Sequence, residues 1–263
     1  HDPGADVVRG ALEPLHDLLG VVCGMFSCVW VASSLPSEHY MAKQHRALLT
    51  RQELIRSAAE VFDSAGYAEA SIATISSRAG VSNGALHFHF KNKRALGEAV
   101  EQIAAQILLR LTGRVPLRHP SPLQLLVDTS HVLARGLRDD PVLRAGFGLG
   151  GDPTWQSDVK LWEQWQDWVQ LMLTVARDQG SLAPQVAVEE TAFAIVAVVA
   201  GIDALNRTGA EWDARHAVTR YWRLVLPQLS TEAAREQLNP EGTAAEEVWS
   251  QKWDMAEACG DAA

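Results

Sequence analysis

The chain has 263 residues, of which 47% are hydrophobic and 21% charged, ample apolar content for a buried core in one large or two modest domains. Its net charge of −9 excludes a protein that coats nucleic acid indiscriminately. Three cysteines, Cys23, Cys28 and Cys259, are odd in number and fit neither a disulfide framework nor a zinc cluster; they suit a reducing compartment. Helix formers dominate and no alternating strand pattern is visible, so an all-α fold is expected.

Residues 1–40 carry one Arg against five acidic residues and include the apolar run Leu18–Leu35. The segment ahead of that run is net acidic, where an export signal wants positive charge. Met41 opens a stretch that reads like a protein start. Residues 1–40 are therefore expected to be an upstream extension, disordered or a marginal hydrophobic segment. A membrane anchor at Leu18–Leu35 is the competing reading.

Residues 41–92 read as a three-helix head. Met41–Arg51 is a basic arm, and Leu54, Ile55, Ala58, Val61, Phe62 and Ala65 then mark one helical stripe closed by Gly66. Ser71 is placed to cap Ile72–Ala79, whose Ile72, Ile75 and Ala79 share a face. Gly80 ends that helix, Val81 packs inward, and Ser82 caps a second short helix, Asn83–Phe90. No acidic residue lies between Glu69 and Glu98, whereas Arg78, Lys91, Lys93 and Arg94 do. Two short helices about a tight turn, in a stretch that is locally basic (eight Lys/Arg against four Asp/Glu over residues 41–97), point to a helix-turn-helix for DNA.

Residues 93–229 read as a larger, acidic helical body. Lys93–Thr112 buries Leu96, Val100, Ile103, Ile107, Leu108 and Leu111. Helices follow at Leu123–Leu137, at Val142–Leu149 with Pro141 opening it, at Asp158–Asp178, at Val188–Asn206 and at Asp213–Leu229. The stretch Thr191–Leu205 is apolar almost all round and rich in small residues, yet too short and interrupted for a membrane span. With Val218–Leu229 it is expected to supply half of a four-helix dimer interface. Residues 230–263 form a polar, Glu-rich C-terminal tail expected to be mobile.

The stretch Ser71–Leu96 resembles the TetR family of one-component bacterial repressors. The resemblance rests on Gly80-Val81-Ser82 at the turn, Gly84 in the recognition helix, His87-Phe88-His89-Phe90 at its end and Lys91–Leu96 leading onward. It covers Met41 to about Leu229 and implies an all-helical homodimer, with one head per operator half-site and a ligand-binding and dimerising domain. Asp140-Pro141-Val142-Leu143-Arg144-Ala145-Gly146 further resembles a stretch of the receptors for γ-butyrolactone autoregulators. That resemblance implies a Trp in the ligand pocket, and spacing back from Ala176-Arg177 gives Trp165 as its counterpart. Gly148 departs from the basic residue the resemblance implies there, and a Pro-rich approach to the Trp is missing.

Lys43, Arg46, Thr50, Lys91 and Lys93 are the candidate phosphate contacts, since cations release counterions and a hydroxyl donates to phosphate oxygen. Ser82 both caps its helix and presents a helix N-terminus to phosphate. Asn83, Gly84, Ala85 and Phe88 lie where base edges are read: Asn pairs with adenine, Ala or Phe meets a thymine methyl, and Gly permits close backbone approach. His87 stands where the family has Tyr; its ring can donate to phosphate, and its charge varies with pH, so operator affinity is expected to weaken as pH rises. A metal pair at His87 and His89 is rejected, because residues two apart on a helix point to different faces and no third ligand accompanies them. Trp165, Trp168, Phe147 and Leu143 are the candidate ligand-binding residues; core packing competes evenly at Trp165 and is the favoured role for the other three.

The expectation is a cytoplasmic, ligand-responsive repressor of the TetR type, homodimeric on a palindromic double-stranded operator. A small effector such as a γ-butyrolactone would release it. An antibiotic or biosynthetic intermediate as effector, or a membrane-tethered regulator, are the alternatives. No cofactor and no metal are expected, and no residue set supports an enzyme.

Overall fold

A computed structural model describes residues 38–113, 121–208 and 214–243. Almost all of residues 1–40, including Leu18–Leu35, and the end of the chain from 244 lie outside the described residues. The chain divides into residues 1–44 and residues 45–263. In the first unit the described residues 38–44 are helical, and Lys43 and Gln44 are exposed.

The described residues are helical throughout, apart from loops and one isolated antiparallel bridge between Leu182 and Ser230. We name the helices α1 (Glu38–Glu69), α2 (Ile72–Arg78), α3 (Asn83–His89), α4 (Lys93–Thr112), α5 (Pro122–Asp139), α6 (Pro141–Leu149), α7 (Leu161–Asp178), α8 (Val188–Arg207), α9 (Ala214–Leu229) and α10 (Glu232–Arg235). Gly66, at φ 78°, breaks α1 near its end, and Tyr67 then turns back onto Phe62 with ring centroids 5.4 Å apart. The head core is Leu54, Ile55, Ala58, Phe62, Ile75, Leu86 and Phe90, all buried. It continues into α4 through Leu96 and Val100, so one apolar cluster runs from head to body.

In the body α4 crosses α6 at close range. A Cβ added at Gly146 would sit 2.3 Å from the Cβ of Ala104, so only glycine lets these two backbones meet. Asp140 caps α6 by accepting from the N–H groups of Val142 (2.8 Å) and Leu143 (3.1 Å), with Pro141 in the first turn.

Two expectations change. Helix α7 begins at Leu161, not Asp158, because residues 152–160 are held as a loop. Asp152 accepts from the Tyr67 N–H (3.1 Å), Trp155 Nε1 donates to Glu101 (3.0 Å), and Ser157 takes the other Glu101 oxygen. The segment after Ser230 does not run free up to Thr243. Gln124 of α5 exchanges two hydrogen bonds with the Asn239 backbone (2.7 and 3.1 Å). Asp128 accepts from the N–H (2.8 Å) and hydroxyl (2.6 Å) of Thr243, and a His131 ring nitrogen lies 2.9 Å from the Pro240 carbonyl. Composition predicted mobility because so few apolar residues are present; side-chain to backbone bonds dock the strap instead.

Candidate nucleic-acid interface and interior site

The head is assembled by local hydrogen bonds. Ser71 Oγ accepts from the Thr74 N–H at 3.0 Å and starts α2. The helix ends in a Schellman turn, with the Val81 N–H on the Ser76 carbonyl (3.0 Å) and the Gly80 N–H on the Ser77 carbonyl (3.1 Å). That turn needs φ near +60° at its pivot, and Gly80 sits at φ 67°. Ser82 Oγ then accepts from the Ala85 N–H at 3.2 Å and opens α3. Leu86 and Phe90 plant α3 in the core, which leaves Ser82, Asn83, Gly84, His87 and Phe88 exposed. Phe88 is 82% exposed, where an aromatic has no folding reason to be. A Cβ added at Gly84 would meet only Ser82 Oγ, at 3.8 Å, so nothing inside the head requires glycine there.

Around this face the basic residues divide. Arg46 and Lys91 are exposed, and Thr50 is half-buried with its hydroxyl donating to the Arg46 carbonyl at 3.0 Å. Ala85 is half-buried beside Leu86. Arg78 pairs with Glu60 on α1. Lys93 donates to the Tyr67 (2.9 Å) and Ala68 (3.0 Å) carbonyls at the end of α1 and lies 4.6 Å over the Tyr67 ring. It caps a helix C-terminus, a placement the sequence did not announce. Asn83 is likewise engaged, its side-chain oxygen accepting from Ser76 Oγ. His89 is half-buried against the Phe88 ring, and burial followed by the Arg51 charge lowers its pKa below the ordinary value. Among the described residues no group of three or more His, Cys, Asp and Glu is placed to hold a metal ion.

The interior candidates lie in the body. Trp165 is 0% exposed and stacks on Trp168 with centroids 5.1 Å apart, and its Nε1 has no hydrogen-bond partner. Trp168 is anchored differently, donating from Nε1 to the Thr112 carbonyl at 3.1 Å. Leu143 and Phe147 are buried in the same cluster. Phe147 meets Trp162 edge to face at 4.6 Å, and both line a cavity of about 130 Å³ with Glu101, Val159 and Lys160. An unpaired indole N–H in a closed apolar interior carries a desolvation penalty of about 1–3 kcal/mol, which a ligand acceptor would relieve. The cavity is smaller than the roughly 300–1,000 Å³ of ordinary small-molecule sites, so a ligand of that size needs the packing to open.

Sequence reasoning passed over Trp155. It is buried between head and body, edge-on to Tyr67 at 4.8 Å, over Gly97, with the Arg94 guanidinium 5.4 Å from its ring. It lies outside every predicted helix, and nothing in its neighbours' periodicity marks it.

A helix-turn-helix head on an all-helical body with an aromatic interior defines a DNA-binding regulator of the one-component kind. Residues 54–100 match the model of bacterial regulatory proteins of the tetR family. The A-factor receptor protein of Streptomyces griseus is 33% identical over 204 residues, covering 77% of this chain and 71% of that one. The crystal structure of a γ-butyrolactone receptor, an ArpA-like protein, superposes with a TM-score of 0.64 at 26% identity, over 77% of this chain and 98% of its own. CprB from Streptomyces coelicolor, a TetR family protein solved in complex with its operator sequence, gives 0.64 at 26% identity and the same coverages. The chain belongs to the TetR family. Within it, the chain falls in the γ-butyrolactone autoregulator receptor-like branch.

Proposed function

We propose that the protein is a homodimeric, ligand-responsive transcriptional repressor, released from a palindromic operator by a small signalling molecule such as a γ-butyrolactone. The observation that carries this is the outer face of α3. Asn83, Gly84, His87 and Phe88 are exposed there together, with no folding role for the Phe88 ring or the missing Gly84 side chain. In a major groove, Asn83 would meet an adenine edge, Phe88 and Ala85 thymine methyls, and Gly84 would let the backbone close in. Ser82, His87, Lys91, Arg46, Thr50 and Lys93 would face phosphates, the last with the one ammonium donor of three that its two carbonyls leave over. Lys43, in the unit before residue 45, is assigned a phosphate on charge alone.

Two heads must sit about 34 Å apart to fit successive major grooves. The dimer is assigned to α8 and α9, whose Phe193, Leu205 and Leu224 are 64%, 42% and 68% exposed, and where a Cβ at Gly201 would meet nothing. The effector is assigned to the interior around Trp165 and Phe147, with Trp168 and Leu143 behind them. Its binding would favour a dimer geometry whose heads miss the operator spacing, by population shift. Among the described residues no helix is long and apolar enough to cross a membrane. The working compartment is assigned as the cytoplasm, where the DNA is. No catalytic role is proposed.

Selection of bound duplexes from a random DNA pool tests this, with bound DNA eluted in parallel by γ-butyrolactones and by antibiotics. Enrichment of a palindrome eluted by lactone is the expected outcome. Elution by an antibiotic alone transfers the effector to that class, and no enriched palindrome removes the reading altogether.

A further inference from the structure

A contact between head and body takes no part in the function just proposed. Asp63, near the end of α1, is 18% exposed, and its two carboxylate oxygens go to two different body helices. Arg144 of α6 donates from Nε to Oδ2 at 2.8 Å, and Arg207 of α8 donates from Nη1 to Oδ1 at 2.8 Å. Arg207 also holds the Arg144 carbonyl at 3.0 Å and Asp203 Oδ2 at 3.0 Å. Arg144 in turn donates to the Leu137 carbonyl at 3.1 Å and to that of Arg138, in the last turn of α5. One carboxylate of the head is thereby tied to the ends of three body helices. Space is kept for it: a Cβ at Gly148 would stand 3.4 Å from the Arg207 guanidinium, which lies over that bare backbone. Asp203 is 6% exposed and its Oδ1 has no partner, so the network is balanced on the arginines and has nothing to spare.

We infer that Asp63, Arg144 and Arg207 form the latch through which the body sets the orientation of the head. The inference rests on the ligand-responsive reading above. Asp63 is a positioning residue, touching neither the α3 face nor the aromatic interior. Partly buried charge pairs of this kind are closed or parted, with no comfortable intermediate, because parting leaves an uncompensated charge in a poorly hydrated place. A ligand that displaces α6 or the end of α8 therefore moves α1 with them, and the recognition helix follows through the shared head core.

The test uses the full chain, a palindrome recovered from the random pool, and a synthetic 2-acyl-γ-butyrolactone as probe. Operator Kd is measured by fluorescence anisotropy with and without saturating lactone, for wild type, Asp63→Asn, Arg207→Gln and the double variant. The lactone-induced ratio of Kd values is expected to fall about tenfold towards one in each single variant. The double variant should fall no further, because both changes break one device. Lactone affinity, read from tryptophan fluorescence, stays within about twofold, which a general loosening of the body would not allow. An unchanged ratio in Asp63→Asn overturns the inference. If Arg207→Gln does not fold, Arg207→Lys replaces it: the charge survives but one ammonium cannot reproduce the guanidinium fork, and the ratio should fall equally. If wild type binds no palindrome or ignores the lactone, the functional reading or its effector fails separately. The latch is then judged by hydrogen exchange of Asp63→Asn. Faster exchange in both 56–63 and 199–207 upholds it, and change confined to α1 overturns it.

Discussion

In the head, the two helices of the turn motif each open on a side-chain cap, Ser71 for α2 and Ser82 for α3. In the body, α4, α5 and α6 are capped by Asn92, Ser121 and Asp140, but the long helices α7 and α8 open at Lys160 and Ala187 with no side-chain cap. The head is stabilised by signals a few residues apart and turns its functional face outward, where unexplained exposure betrays it. The body is held by packing between helices distant in sequence, and what function it has is turned inward. An outward face is a property of one helix, whereas an interior site is a property of how several helices fit. The first can be read along a chain; the second appears only when the chain is folded.

The largest effect that could break this contrast is at Trp165. If it is a load of closed packing, Trp165→Ala costs about 3–5 kcal/mol in chemical denaturation, as large aromatic deletions do. Trp165→Phe should cost much less than its lost area suggests, because it also removes the unpartnered buried N–H. A cost for Trp165→Ala under about 1 kcal/mol would mean the indole already borders an open chamber, and the interior would be as preformed as the recognition face.

Glycines sharpen the comparison at the next level. Gly146→Ala drives a methyl into the Ala104 Cβ at the α4–α6 crossing, at an expected cost of about 1–3 kcal/mol, measured as a fall in thermal midpoint. Gly84→Ala meets only Ser82 Oγ, at an ordinary contact distance of 3.8 Å, and should leave stability within about 0.5 kcal/mol of wild type or slightly raise it. Its operator affinity should nonetheless fall. The same substitution thus damages the fold in the body and the binding face in the head. Loss of stability at Gly84, or none at Gly146, would erase the distinction.

This contrast also explains what the sequence disclosed. The caps at Ser71 and Ser82 and the turn at Gly80 were legible because serine and glycine do one local job each there. The bounds of α4 were legible from its apolar spacing. Trp155 was not, since its burial depends on Gly97 and Tyr67 leaving room for it from other elements. Lys93 looked like a phosphate ligand because charge patterning records sign but not direction; its ammonium turns back onto the end of α1. The strap after Ser230 was misread because a polar stretch docked by hydrogen bonds has the composition of a loose one.

The smallest expected effect is of pH, and it bears on that strap. His131 has its pKa lowered, chiefly by burial; the Pro240 carbonyl and Asp128 oppose the shift and Arg135 adds to it. The folded protein therefore holds its neutral ring while the unfolded chain takes up a proton near the ordinary value of about 6.5. Stability associated with this group is present above that value and is lost as pH falls towards the depressed folded one. His89 in the head shifts in the same direction, through burial and then Arg51. Acidification from about pH 7.5 to about pH 5.5 should then weaken both regions, but by different routes. In the body it should release Asn239–Thr243 from α5, seen as faster hydrogen exchange at the Asn239 and Thr243 amides, both of which donate to α5 side chains. His131→Gln should flatten that response and leave the head's own pH response intact. If His131→Gln also flattens the head, the two regions do not respond independently, and their coupling reaches beyond the Asp63 latch.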